Sequence, residues 1–155
     1  CRLKGLERFS PKRVILDNKL NSNINSYLIK TANNENTIIF YNKAEKSKVL
    51  NFKRRGVKLI KSKINTNNKF DIKVLLKKLY IMGCRNLLIE GGDILTYSLI
   101  KDKIFNKFYL FKSSKNHSKN SEYLKFNSLK VLNKKYKKKI SLNMNFGKDR
   151  VTLYR

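Results

Sequence analysis

Residues 86–93 read Asn86-Leu87-Leu88-Ile89-Glu90-Gly91-Gly92-Asp93, and this run sets the expected fold class. Its apolar part is typical of a short buried strand, which then reaches a carboxylate and a Gly-Gly turn before a helix begins. Such a turn directs bare backbone N–H groups at one point, as the binding of a phosphate or a dinucleotide requires. The alternative is a tight strand-to-helix turn with Glu90 exposed, and the G-x-G-x-x-G fingerprint that would separate the two is absent.

Strands and helices alternate on both sides of this run. Helices are predicted at residues 46–55, 71–82 and 93–103, and strands at residues 13–17, 37–41, 57–60, 87–90 and 105–112. This order requires right-handed crossovers, so it predicts an α/β fold with a mostly parallel central sheet and flanking helices. Residues 137–142 and 150–154 alternate polar and apolar side chains, and they predict a C-terminal antiparallel hairpin on the sheet edge.

Apolar periodicity also predicts which side chains of the helices are buried. Asp71 is expected to cap the clearest helix, and the spacing of its apolar residues forms one buried face that contains Ile72, Leu75, Leu76 and Leu79. The helix at residues 46–55 is expected to turn Val49, Leu50 and Phe52 toward the sheet. Residues 113–128 are polar and are expected to form a surface excursion.

The net charge of +27 allows two interpretations. A basic chain suggests a nucleic-acid or membrane partner, and the run from Lys134 to Lys139 is the densest candidate patch. However, the chain is rich in Lys and Asn and poor in Ala and Pro, which is typical of an A/T-rich genome, and the lysines are spread along its whole length. A solvated lysine surface, with edge lysines that block aggregation, is therefore the favoured interpretation, and nucleic acid is an unlikely partner.

The composition also bounds the class of protein. With 155 residues and 41% hydrophobic residues, the chain is expected to form a single domain with a true core. It has no apolar run long enough for a membrane span, and Cys1 and Cys84 make neither a disulfide framework nor a zinc site. These features favour a cytoplasmic protein without a bound metal. The chain does not start with Met, which suggests a fragment.

Three further residues are candidates for binding or catalysis. Asn18 follows the strand at residues 13–17, so a parallel sheet would place it on the same rim as Glu90, although Asn is also a common turn residue. Arg2 is able to clamp a phosphate, and its alternative is a loose surface side chain. His117, the only histidine, lies in a polar segment and is either solvated or a general base.

The ordered motifs of the chain resemble a known family. The matching segments are Arg2-Leu3-x-Gly5, Pro11-Lys12-Arg13-Val14-Ile15-Leu16-Asp17, Leu88-Ile89-Glu90-Gly91-Gly92, Phe108-Tyr109-Leu110-Phe111 and Gly147-Lys148-Asp149-Arg150. They resemble the reductase domain of the bifunctional riboflavin-biosynthesis deaminase/reductase, a relative of dihydrofolate reductase. The resemblance runs from the first residues to the last, and it implies a dihydrofolate-reductase-like fold.

The resemblance also implies an activity and a site. It implies NADPH-dependent reduction of the ribose side chain of 5-amino-6-(5-phosphoribosylamino)uracil, a phosphorylated pyrimidine, to the ribityl form. By matching positions, Arg2 and Glu90 would bind the substrate and Asn18 would lie near NADPH. The phosphates of NADPH would be held by Gly92, Asp93, Ile94, Leu95, Thr96, Tyr97 and Ser98. No matching position identifies the residue that protonates the substrate.

The chain departs from the family pattern at its N-terminal end. The family's reductase domain normally begins with a strand and a helix ahead of Arg2 and is fused to a zinc deaminase domain, so we expect this chain to be a reductase domain that lacks both the segment and the deaminase domain. The resemblance further implies a homodimer. Two alternatives to the reductase remain at this point: a basic nucleic-acid-binding module, and a catalytically inactive remnant that serves dimerisation.

Overall fold

Two three-stranded sheets organise the chain, one in each of two units, Cys1–Gly83 and Cys84–Arg155. A computed structural model describes residues 5–6, 9–115, 127–143 and 146–155. The first sheet is parallel and the second is antiparallel. The predicted α/β class is confirmed, but the predicted strands divide between two sheets.

The first unit is built on a parallel sheet of order β1-β2-β3. Its strands are β1 (Arg13–Leu16), β2 (Thr37–Tyr41) and β3 (Lys58–Lys61). The central strand β2 is the most apolar of the three, and Ile38, Ile39 and Phe40 are buried. Continuous rather than alternating burial is the pattern of a parallel strand that is covered on both faces.

Helices α1 (Tyr27–Lys30), α2 (Lys46–Arg54) and α3 (Ile72–Ile81) complete the first unit. Phe52 of α2 joins a core cluster with residues from the loops, from α1 and from β2, namely Leu20, Ile29, Ile39 and Val57. The prediction that Leu50 faces the sheet was wrong, because its side chain is 52% exposed. The short helix α1 was not predicted, since its four residues are too few to show a helical period.

Helix α3 follows its prediction closely. The carboxylate of Asp71 accepts hydrogen bonds from the backbone N–H groups of Lys73 at 3.0 Å and Val74 at 3.2 Å, as expected of an N-cap. Leu75 and Leu79 of the predicted apolar face are buried.

The second unit contains helices α4 (Asp93–Lys101) and α5 (Ser128–Lys135) and strands β4 (Phe108–Lys112), β5 (Lys139–Leu142) and β6 (Arg150–Tyr154). The predicted hairpin is confirmed, since β5 and β6 pair antiparallel. It does not extend the parallel sheet, however, because β6 lies between β4 and β5 in a separate sheet. The helices bury Ile100 and Leu132 against Tyr154.

The predicted buried strand at residues 87–90 is wrong in this structure. These residues form no ladder, and the apolar side chains are exposed: Leu87 is 41%, Leu88 is 75% and Ile89 is 41% exposed. A strand forms only where a neighbour takes up its backbone hydrogen bonds, and the described residues supply no such neighbour here. The composition of the run is suited to burial, but no described strand pairs with it.

The predicted surface excursion at residues 113–128 is only partly described. Residues 116–126 lie outside the described part of the chain. Helix α5 starts at Ser128 and was not predicted, although the apolar spacing of Leu129 and Leu132 is a helical signal.

Candidate functional site

The loop that follows β1 lies at the carboxyl edge of the parallel sheet, where open α/β sheets bind ligands. Asp17 closes this loop on itself. Its carboxylate accepts hydrogen bonds from the backbone N–H groups of Asn21 at 2.9 Å and Ser22 at 2.7 Å, and from the Ser22 hydroxyl at 2.7 Å. Burial alone would raise the pKa of Asp17, but these hydrogen bonds outweigh it and hold the pKa below its ordinary value of 3.8. Asp17 is therefore a charged anchor of the loop.

Asn18 lies where this loop meets the next one. Its backbone carbonyl accepts hydrogen bonds from the N–H groups of Asn42 at 3.0 Å and Lys43 at 3.1 Å. The side-chain amide of Asn42 donates in turn to the carbonyl of Ser62 at 3.0 Å, just beyond β3. The ends of all three parallel strands are thus connected by hydrogen bonds. The backbone of Asn18 is fixed, while its half-buried side chain has no hydrogen bond to another described residue.

The Glu90-Gly91-Gly92 turn belongs to the second unit and leads directly into α4. All three residues are exposed. A side chain added at Gly91 would collide with Leu95, since an ideal Cβ lies 2.9 Å from its Cδ2 atom. A Cβ added at Gly92 meets no atom within 4 Å. A side chain at Gly91 therefore needs Leu95 to shift, whereas Gly92 faces open space.

The N-terminus of α4 is available to an anion. Its N-cap residue is Gly92, and no side chain caps the helix there. The first N–H groups of any helix have no acceptor within it, and the helix dipole adds positive potential at this end. In α4 these groups belong to Asp93, Ile94 and Leu95, three of the predicted cofactor-binding residues. Uncapped donors beside open space fit the phosphates of a dinucleotide.

The hydroxyl groups of α4 are engaged within the helix and its turn. Thr96 is buried and its Oγ1 donates to the carbonyl of Gly91 at 3.3 Å. Ser98 Oγ donates to the carbonyl of Ile94 at 3.1 Å. Tyr97 is 37% exposed. The donors left for a phosphate at this helix end are therefore backbone N–H groups rather than the hydroxyls.

The side chain of Asp93 joins the starts of two helices. Its Oδ1 accepts hydrogen bonds from the hydroxyl of Ser128 and, at 2.9 Å, from the backbone N–H of Ser128 at the first turn of α5. The hydrogen bond from the Ser128 hydroxyl contributes most to lowering the pKa of Asp93. The bond from the backbone N–H of Ser128 is the second contribution. These hydrogen bonds favour the charged form of Asp93 and hold its carboxylate against the start of α5. Ser128 was not predicted to belong to the site, although a Ser at the start of an apolar period is a helix-start signal.

The remaining candidate binding residues predicted from the sequence are only partly described by the structure. Arg2 and His117 lie outside the described residues. Of the run from Lys134 to Lys139, Lys135 Nζ donates to the carbonyl of Lys101 at 2.6 Å, at the C-terminal end of α4. A cation is favourable at that helix end, so part of the run has a structural role.

The part of the chain that the structure describes shows neither a membrane span nor a metal site. Within that part of the chain, no helix combines the length and apolarity needed to cross a bilayer. The same residues contain no group of three or more His, Cys, Asp or Glu side chains placed to hold a metal ion.

Comparison with known proteins identifies similar chains. A family model described as the RibD C-terminal domain matches residues 2–115. The chain is also 30% identical over 101 residues to the riboflavin biosynthesis protein RibD of Actinobacillus pleuropneumoniae. That match covers 65% of this chain but only 27% of the relative's length. The region that the family model matches, residues 2–115, includes Asn18, the Glu90-Gly91-Gly92 turn and all of α4.

Proposed function

Because this chain belongs to the RibD C-terminal domain family, we propose that it is an NADPH-dependent reductase domain of riboflavin biosynthesis. Its substrate is 5-amino-6-(5-phosphoribosylamino)uracil, whose ribose side chain it reduces to ribityl. The observation that carries the proposal is the uncapped start of α4 behind the Glu90-Gly91-Gly92 turn. Neither a nucleic-acid-binding role nor an inactive remnant is favoured by a specific observation.

In the proposed site, the cofactor is held mainly by backbone groups. The N–H groups of Asp93, Ile94 and Leu95 bind its phosphates, and the open space at Gly92 lets the phosphates approach the helix. Asn18 contacts the cofactor from the loop after β1. Bound NADPH would supply the hydride, while the protein orients the two reactants and excludes water.

The substrate is bound by charged groups in this proposal. Glu90 is exposed at the turn, so its carboxylate is free to accept hydrogen bonds from the hydroxyl groups of the sugar. Arg2 binds the phosphate of the substrate, because a guanidinium recognises phosphate with two parallel hydrogen bonds. Placing the carboxylate next to the phosphate turn brings substrate and cofactor to one helix end.

We further propose the cellular setting that the family resemblance implies. The domain works in the cytoplasm, fused to a zinc deaminase domain, and it associates as a homodimer. Sedimentation equilibrium measures the last point, and a molecular mass of one chain across the micromolar range would exclude the dimer.

The test of the cofactor site compares Gly92→Asp with Gly92→Asn. Both side chains have nearly the same size, meet open space and favour the N-cap position, so both variants are expected to fold. The added carboxylate of Asp repels the phosphates, and we expect it to weaken NADPH binding about tenfold or more, whereas Asn changes it about twofold. Fluorescence titration with NADPH measures both, using the chain alone and the chain with any sequence that precedes Cys1 in its gene.

Two results would contradict the proposed function. One is the absence of saturable NADPH binding in both forms of the wild-type protein. The other is equal affinity of the wild type and Gly92→Asp, which would show that the cofactor does not approach the start of α4.

A further inference from the structure

Asn42, the residue that follows β2, connects the loops at the carboxyl edge of the parallel sheet in two directions. Its backbone N–H donates to the carbonyl of Asn18 at 3.0 Å, in the loop after β1. Its side-chain amide donates to the carbonyl of Ser62 at 3.0 Å, just beyond β3. A side chain that fixes its own backbone also fixes the group that this backbone binds, which is here the carbonyl of Asn18.

Ser62 gives the amide of Asn42 a firm anchor. Ser62 is buried, and its backbone N–H donates to the carbonyl of Tyr41 at 2.7 Å. Its hydroxyl accepts a hydrogen bond from Nζ of Lys78, in α3, at 3.0 Å. Since Ser62 is held from the sheet and from a helix, the bond to Asn42 ties the loop after β2 to a fixed point.

The loop that contains Asn18 is held on its other side by Leu20. The backbone of Leu20 is left-handed, with a φ of 52°, and a residue with a side chain keeps that conformation only where the surrounding structure holds it. The Leu20 side chain is buried in the core cluster of Phe52. Asp17 and Leu20 therefore fix the two ends of the segment that contains Asn18. The hydrogen bond from Asn42 fixes the middle of this segment.

We propose that Asn42 is a positioning residue of the cofactor site and that it acts through Asn18. The inference rests on the proposed function, in which Asn18 contacts NADPH, and extends it to a residue with no contact of its own to cofactor or substrate. The hydrogen bonds of Asn42 order the Asn18 segment before NADPH arrives, so binding costs less conformational entropy. Without the Asn42 amide, the loop after β2 loses its anchor, and the Asn18 side chain loses its fixed position.

The test is a double-mutant cycle between Asn42 and Asn18, measured by fluorescence titration of the full chain with NADPH. Asn42→Ala removes the amide that donates to Ser62, and we expect it to weaken NADPH binding about fivefold. Asn18→Ala is expected to weaken it about tenfold. The double variant is also expected to lose about tenfold, rather than the roughly fiftyfold of independent effects, because Asn42 acts through a side chain that is already removed.

The matched control is Asn51→Ala, which changes an exposed asparagine of α2 in the same unit. It is expected to leave the affinity for NADPH unchanged. The midpoint of thermal unfolding is measured for every variant. A merely structural role of Asn42 would lower this midpoint and would weaken NADPH binding by the same factor with and without the Asn18 side chain. If Asn42→Ala does not fold, the nearly isosteric Asn42→Asp replaces it, with Asn51→Asp as the control for the added charge.

The outcomes separate this inference from the proposed function. Suppose that the wild type binds NADPH. The inference is then overturned if Asn42→Ala binds as tightly as Asn51→Ala, if Asn18→Ala binds as tightly as the wild type, or if the losses of the two single variants multiply, and the reductase proposal stands in each case. If the wild type shows no saturable binding of NADPH, the proposed function fails and the inference fails with it.

Discussion

Two charged side chains fix the ends of β1. The guanidinium of Arg13 donates to Thr31 Oγ1 and to the Thr31 carbonyl, each at 2.8 Å, and to Asn36 Oδ1 at 3.0 Å. At the other end, Asp17 closes the following loop. Both residues belong to the motif that carries the family resemblance, and both act here on the backbone of neighbouring loops. Of the two, Asp17 bears on the proposed site, because it fixes the loop that contains Asn18.

Glu90 is proposed to bind the substrate, whereas the residues from Gly92 onward are proposed to bind the cofactor. We expect Glu90→Gln to lower kcat/KM about 10- to 100-fold, because a hydrogen bond from a substrate hydroxyl to a charged group is replaced by a weaker neutral one. NADPH affinity is expected to change less than about twofold, since the cofactor contacts begin at Gly92. Steady-state kinetics and NADPH titration measure the two effects.

The matched control for this variant is Glu35→Gln, an exposed glutamate in the turn before β2. It is expected to have wild-type kinetics. Equal losses of turnover and cofactor affinity in Glu90→Gln would assign Glu90 to the cofactor rather than to the substrate.

Helices α4 and α5 are joined at their starts by the hydrogen bonds between Asp93 and Ser128. Ser128 is fully buried, so its hydroxyl has no access to water if this partner is lost. The pair orients the first turn of α4 relative to α5, and that turn carries the proposed phosphate donors. The sequence predicts α4 but not this connection, because 35 residues separate Asp93 from Ser128 along the chain.

Ser128→Ala tests how much the joined helix starts contribute to stability. We expect the midpoint of thermal unfolding to fall by about 3 °C, as for the loss of one net hydrogen bond in a chain of this size. The control is Ser98→Ala, since the Ser98 hydroxyl donates to the carbonyl of Ile94 within its own helix, and this change is expected to be neutral. Equal midpoints for both variants would show that the connection between α4 and α5 adds nothing to stability.

The stability of the whole chain should depend on pH through Asp17 and Asp93. Both carboxyl groups have a pKa below the ordinary 3.8, so the unfolded chain binds more protons than the folded one as the pH falls. Their stabilisation is fully present above about pH 5 and is lost as the pH falls below about 4, through the folded pKa values. Urea unfolding at a series of pH values measures the free energy of unfolding.

Asp17→Asn isolates one part of this dependence. We expect it to lower the free energy of unfolding at neutral pH by about 1 kcal/mol, a figure kept small because solvent screens a partly exposed carboxylate. We also expect a shallower loss of stability in acid. Repulsion within this basic chain is shared by the wild type and the variant, so the difference between the two curves belongs to Asp17. If the free energy of unfolding fell in parallel for the wild type and Asp17→Asn as the pH is lowered, the lowered pKa of Asp17 would be contradicted.

Local sequence patterns were sufficient to predict most of the individual helices and strands. The apolar run of β2, the capped period of α3 and the alternation in β5 and β6 all follow from interactions between residues close along the chain. The Gly-Gly turn was likewise expected to start a helix, and α4 starts at Asp93. The family resemblance also depends on sequence alone, because it rests on ordered motifs.

Long-range pairing could not be predicted in the same way. The division of the strands between two sheets depends on which strand supplies hydrogen-bond partners to which. Residues 87–90 pair with no strand of the described part of the chain, despite their strand-like composition. The hydrogen bond between Asp93 and Ser128 likewise joins residues that are distant along the chain. The amino-acid sequence therefore determined the elements and the family, because propensity, capping and motif order are local. Only the tertiary structure decided the pairing of strands and the partners of charged groups, because those depend on which distant residues meet.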